Sequence, residues 1–268
     1  MNLLKPLLPG LAGSLWVESQ KLRRSKTLWI SALAFALVIL ISGLFMFILK
    51  NPEQARRLGL LGAKAQFMGG SADWPGYLNM VLMMVSIIGI VIFGFIFTWI
   101  FGREFNDKTY YDLLALPTSR MTIVLTKFVT AIIWSLVLLL IVLILMLIMG
   151  MLLNLPGWSP SIFLTVIQKI TLAGMLTTIL AIPFSLIASL SKGYLPAAGS
   201  IFLVVVLGQV FSALGYSQFF PWSVPALVGG VMGSASPGAN LASYISVGIV
   251  SLLGLIFTLV WWQKADHS

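Results

Sequence analysis

Long apolar runs alternate with short polar connectors along this chain, and the runs are long enough to cross a bilayer. Six of them predict transmembrane helices, at about residues 28–49, 79–101, 122–153, 162–190, 195–214 and 241–262. A crossing helix needs roughly twenty mainly apolar residues. The third run, about thirty residues at 1.5 Å each, exceeds that need, so its first turns should project beyond the membrane. Pro183 predicts a kink in the fourth run, a break that membrane helices tolerate. Residues 215–240 are rich in Gly, Pro and Ser and too interrupted to span. The expected fold is an all-α membrane protein, with residues 1–268 forming one polytopic domain.

Two of the polar segments carry a helical pattern of their own. Between runs two and three, residues 104–116 place Glu104, Lys108 and Asp112 on one narrow face. Phe105, Tyr110, Leu113, Leu114 and Leu116 fill the opposite arc, as in a helix lying along a surface. Pro117 should stop it, and Thr118 or Ser119 can cap the next helix. Ahead of run one, Leu11, Leu15, Leu22 and Trp29 share a stripe with Glu18 in its middle. A carboxylate on an apolar stripe needs a partner or a path to water. Two readings stay open: an interfacial helix with Glu18 reaching to solvent, or an ion pair with a basic residue of segment 102–127.

Composition agrees with lipid as the solvent. Of the 268 residues 59% are hydrophobic and only 9% charged, against roughly 25% charged in soluble domains. The net charge of +9 does not call for nucleic acid, because excess Lys and Arg anchor membrane helices on their cytoplasmic side. Eleven of the 16 basic residues fall on the side that six spans assign to both termini. Lys50, Arg56, Arg57, Lys64 and Lys169 fall on the other. The expected placement is therefore multi-pass in the cell (inner or plasma) membrane, with both termini cytoplasmic. The first run, preceded by a basic segment and lacking a clear cleavage site, is expected to remain as a helix.

Catalytic constellations are missing from the pattern. GREFNDKT at 102–109 resembles a phosphate-binding loop, but Asp107 stands where glycine would let the backbone approach phosphate. The single histidine, His267, has no triad or zinc-binding companions, there is no cysteine, and no carboxylate falls within a predicted span. Proton relays and intramembrane proteolysis lose their usual residues. Gln168, Lys169 and Gln209 are the polar candidates for a pathway. Lys169 reads either as an intramembrane charge or as a side chain snorkelling from a helix start. Gln209 reads either as a substrate contact or as an interhelical hydrogen bond.

As a whole the chain resembles the membrane subunits of type-2 ABC transporters, ABC-2 permeases, and among them the permeases of bacitracin-resistance and lantibiotic-immunity exporters. The likeness rests on Glu18, Lys21, Arg24, Ser25, Lys26 and Trp29 in the amino-terminal segment. It rests further on Arg103, Glu104, Thr109, Leu113, Leu114, Pro117, Ser119, Arg120 and Lys127 after span two, and on residues 220–225, FPWSVP, between the last two spans. The resemblance implies that the segment after span two is a coupling helix docking onto a separate ABC ATPase subunit. Arg103, Glu104, Phe105, Asp107, Lys108, Thr109, Asp112, Leu113, Leu114, Pro117 and Arg120 would contribute, with Glu18, Lys21 and Arg24 on an interfacial helix beside it. It also implies short re-entrant helices within 215–240, a second permease subunit, contact with membrane lipid, and no cofactor in this chain, ATP and Mg being held by the partner. The expected function is ATP-driven export of an amphipathic or hydrophobic substrate. The alternatives are a non-transporting scaffold or sensor, and an ion-coupled carrier.

Overall fold

The computed structural model describes residues 8–51, 53, 71–110, 118–230 and 238–264. Among them there is no strand. Helix α1 (Leu8–Arg24) precedes span one, α2 (Lys26–Lys50). Span two is α3 (Trp74–Asn106) and span three α4 (Arg120–Leu152). Span four is two helices, α5 (Pro160–Leu180) and α6 (Ile182–Leu190), and span five is α7 (Leu195–Ala213). Two single-turn 3-10 segments, Ser217–Phe219 and Pro221–Ser223, lead into the short α8 (Val224–Gly229), and α9 (Leu241–Lys264) is span six. All six spans are long and apolar enough to cross a membrane.

Span two is the axis of the bundle. It packs against spans one, three, four and five, and Tyr77, Val81, Leu82, Phe93, Phe97 and Phe101 along it are wholly enclosed. Span five is the opposite case, burying only Ala197, Ile201 and Val204. In lipid an exposed apolar face costs nothing, so span-to-span packing rather than burial from water sets the contacts. Small residues make the closest ones. A Cβ on Gly102 would fall 2.6 Å from the Tyr194 nitrogen, so glycine is what lets span two touch the turn after span four.

The fourth span bends as Pro183 requires. The break falls at Ala181, and the Phe184 N–H turns back to the Ala181 carbonyl at 3.2 Å. That leaves the Leu180 carbonyl for the Trp222 indole, which donates to it at 3.1 Å. Span six packs into the bend, where a Cβ on Gly254 would meet the Pro183 Cα at 2.8 Å.

Helix ends correct two expectations. Span two does not stop near residue 101; it continues through Glu104 to Asn106, so residues 104–116 are not one helix. Lys108 takes a left-handed φ of 57°. The Lys108 N–H bonds the Phe105 carbonyl at 3.3 Å and the Thr109 N–H the Glu104 carbonyl at 3.0 Å. This is a Schellman ending, with lysine where glycine is usual. The helical spacing of Glu104 and Phe105 therefore belongs to the last turn of a span, not to a separate surface helix. Likewise Ser25 interrupts the amino-terminal stripe: Leu22 is buried, but Trp29 belongs to span one and is exposed. Ser119, not Thr118, caps span three, accepting from the Thr122 N–H at 3.1 Å.

Candidate functional site: a buried charge cluster

Five charged side chains from three helices meet at the end of the bundle that carries the 102–109 and 191–194 turns. Span two supplies Arg103 and Glu104 from its last turn, where the helix dipole disfavours a carboxylate and cations must compensate. Span three supplies Lys127 from its second turn, and α1 supplies Glu18 and Lys21. Lys127 is fully buried, Glu104 2% exposed and Glu18 3%. At such burial an unpaired charge would not survive.

Every charge faces an opposite one, though the buried Arg103 Nε makes no hydrogen bond among the described residues. The Lys127 ammonium donates to Glu104 Oε1 at 2.8 Å, Glu18 Oε1 at 3.1 Å and the Ile100 carbonyl at 3.4 Å, which employs all three of its hydrogens. Arg103 donates to Glu18 Oε2 at 2.7 Å and lies over the Trp99 ring at 4.6 Å. Lys21, on the solvent side, reaches Glu104 Oε1 at 2.9 Å. The Thr109 hydroxyl donates to Glu104 Oε2 at 2.7 Å, so the turn that ends span two also closes the cluster. Burial alone would push the Glu18 carboxyl up; Lys127, Arg103 and Lys21 together outweigh it and hold the group below the usual carboxylate range. Ionised, the cluster holds two negative and three positive charges.

Of the two readings of Glu18, the structure therefore realises the ion pair, with Arg103 and Lys127 as its partners. Glu104 does not edge an exposed face; it points into the protein beside Arg103. Asp107, Lys108 and Thr109 are exposed in the turn, Phe105 is half-buried, and Phe105 stacks on Tyr110 with ring centres 4.6 Å apart. Arg120 donates to the Gln263 carbonyl at 3.2 Å, joining spans three and six. Arg24 is exposed. Asp112, Leu113, Leu114 and Pro117 lie outside the described residues. Lys127, at the centre of the cluster, is the residue that sequence reasoning did not place in a site. Its signal was a cation inside an otherwise apolar run, within the segment 102–127 from which a partner for Glu18 was expected.

The proposed pathway residues do not converge. Gln168 and Lys169 are exposed on α5, which runs unbroken from Pro160, so Lys169 is not at a helix start. Gln209 instead lines a cavity of about 140 Å³ between spans two and five and α8, with Ser86, Ser212, Trp222 and Ser223. The Ser223 hydroxyl is buried there without a hydrogen-bond partner among the described residues.

Comparison with known proteins agrees with this architecture. The model of the ABC-2 family transporter proteins matches residues 14–210, a range that takes in Glu18, Lys21, Arg103, Glu104 and Lys127. The chain is also 30% identical over 186 residues to the bacitracin transport permease protein BCRB of Bacillus licheniformis, covering 69% of this chain and 88% of that protein. With six apolar spans and a family match across most of its length, the chain belongs to the ABC-2 family of transporters, as a membrane permease.

Proposed function

We propose that this permease is the membrane half of an ATP-driven exporter that works with a separate ATPase subunit and a second permease subunit, identical or paralogous. The carrying observation is the buried cluster of Glu18, Glu104, Arg103, Lys127 and Lys21. It locks α1, the end of span two and the start of span three into one unit beside the exposed turn at Asp107 and Lys108. A push on residues 111–117 would reach spans two and three together, because neither can shift without separating buried charges. ATP and Mg act in the partner, and this chain's contribution is mechanical. Docking falls to the exposed turn and to residues 111–117, with Arg103 and Glu104 holding the unit from behind.

The cargo is amphipathic or hydrophobic, a peptide antibiotic or a lipid-linked molecule, as the name of the bacitracin permease relative suggests. The cavity at Gln209 supports this, since its described lining carries hydroxyls, a carboxamide and apolar side chains but no charge. The short helices between spans five and six would be re-entrant, covering that cavity from outside, with both termini cytoplasmic in the cell membrane.

A tagged pull-down in mild detergent tests the reading. Wild type should retain a nucleotide-binding subunit with ATPase activity. Asp107→Lys/Lys108→Glu and Leu113→Asp/Leu114→Asp should lose it while still inserting. If wild type copurifies with no ATPase, the exporter assignment fails.

A further inference from the structure

The cluster leaves unused a second pair of cations at the same end of the bundle, Arg120 at the start of span three and Lys264 at the end of span six. Leu186 and Leu190 of span four and Phe257, Val260, Trp261 and Lys264 of span six line an open groove of about 460 Å³. Its walls are apolar along their length, and Leu190 and Phe257 are more than half exposed. Lys264 stands at its mouth, in the last turn of span six. Arg120 is held against the preceding residue by its bond to the Gln263 carbonyl, so two cations share the helix end. The guanidinium gives one hydrogen bond there and has donors to spare. No salt bridge engages either cation among the described residues.

We propose that this groove is a binding site for an anionic phospholipid, with an acyl chain lying between spans four and six and the phosphate on Lys264 and Arg120. The occupant is set by the two halves of the site. An apolar channel facing lipid is filled by a chain, and Lys264 in its lining, with Arg120 bound to the carbonyl of the preceding residue, selects a negative headgroup over a zwitterionic one. Each basic residue near a headgroup strengthens the hold roughly fivefold. Free phosphate would meet the cations but leave the groove empty. Because Arg120 ties span three to span six, a lipid bridging Arg120 and Lys264 would also bear on the helix that carries Lys127.

The test uses the purified full-length chain in an uncharged detergent, with thermal unfolding as the readout. Dioleoylphosphatidylglycerol should raise the midpoint saturably, while dioleoylphosphatidylcholine and inorganic phosphate should not. Lys264→Gln should weaken the apparent phosphatidylglycerol affinity roughly fivefold, the loss of one such contact. Val260→Trp, which fills the groove and keeps both cations, should abolish the shift. Equal shifts from both lipids, a shift from phosphate alone, no shift at all, or a phosphatidylglycerol shift that survives both variants would each overturn the proposal. Native mass spectrometry of wild type gives an independent reading that needs no variant: phosphatidylglycerol adducts must outlast phosphatidylcholine adducts on activation.

Discussion

The Lys127 ammonium and the Glu104 carboxylate stand 2.8 Å apart in a part of the protein that water does not reach on the lysine side. The pair spans 23 residues of sequence and joins spans two and three below the segment that separates them. A buried pair of this kind is weak evidence of stability but costly to break from one side. Lys127→Met leaves Glu18 and Glu104 facing each other with fewer counter-charges. It should cost about 3–5 kcal/mol, read as a lowered unfolding midpoint in detergent or loss of folded protein. Lys21→Met, which removes the half-exposed partner, should cost much less. Equal losses would show that the cluster does not centre on Lys127.

The cluster also sets an acid limit. Glu18 is held below its ordinary range by Lys127, Arg103 and Lys21 against the opposing effect of burial. A depressed folded-state carboxyl stabilises the fold above the unfolded value, about 4.3 for glutamate, and that contribution fades as pH falls through the folded value. The unfolding midpoint should therefore hold between neutral pH and about 5 and fall below that. Glu18→Gln should begin lower at neutral pH and show a shallower acid decline. A decline equally steep in both proteins would remove Glu18 from the linkage.

At Lys108 the backbone φ of 57° imposes a left-handed conformation on a residue with a Cβ. That conformation costs roughly 1 kcal/mol or more, and glycine avoids it. Lys108→Gly should therefore stabilise the end of span two by several tenths to about 1 kcal/mol. Lys108→Val, β-branched at the same angles, should destabilise it. The two unfolding midpoints, measured side by side, must fall on opposite sides of wild type.

The apolar runs made the spans legible in the sequence because a helix crossing lipid must satisfy its own backbone and present apolar side chains for some twenty residues. The charge cluster was half legible. Glu18 on an apolar stripe announced the need for a partner, but the partner lay 85 residues away, and no local pattern carries that distance. Glu104 misled because its spacing to Lys108 and Asp112 fits a helical face as well as it fits a helix end. What decided the matter was a left-handed residue at 108, and lysine gives no sequence signal for that. Pro183 told of a bend but not of what would satisfy the carbonyl the bend released.

The Leu180 carbonyl ties the bend in span four to α8's approach segment through Trp222. The Leu180 oxygen lacks its usual helical donor and takes the Trp222 indole N–H at 3.1 Å, while the ring packs near Phe184 and Phe220. Trp222→Phe keeps an aromatic ring but leaves the oxygen without a partner, a loss of about 1–3 kcal/mol. Trp222 also lines the cavity that holds Gln209, so the bond connects the bend in span four to the wall of the proposed pathway. If the wall depends on that bond, Trp222→Phe should lower transport more than it lowers stability. Gly254→Val, which forces a side chain against the Pro183 Cα at 2.8 Å, disturbs the same bend from span six without touching the cavity. It should lower the unfolding midpoint by an amount equivalent to about 1–3 kcal/mol, and transport only in proportion to the folded protein that remains. Transport per folded molecule, compared between the two variants, separates a role for Trp222 in the pathway from a merely structural one.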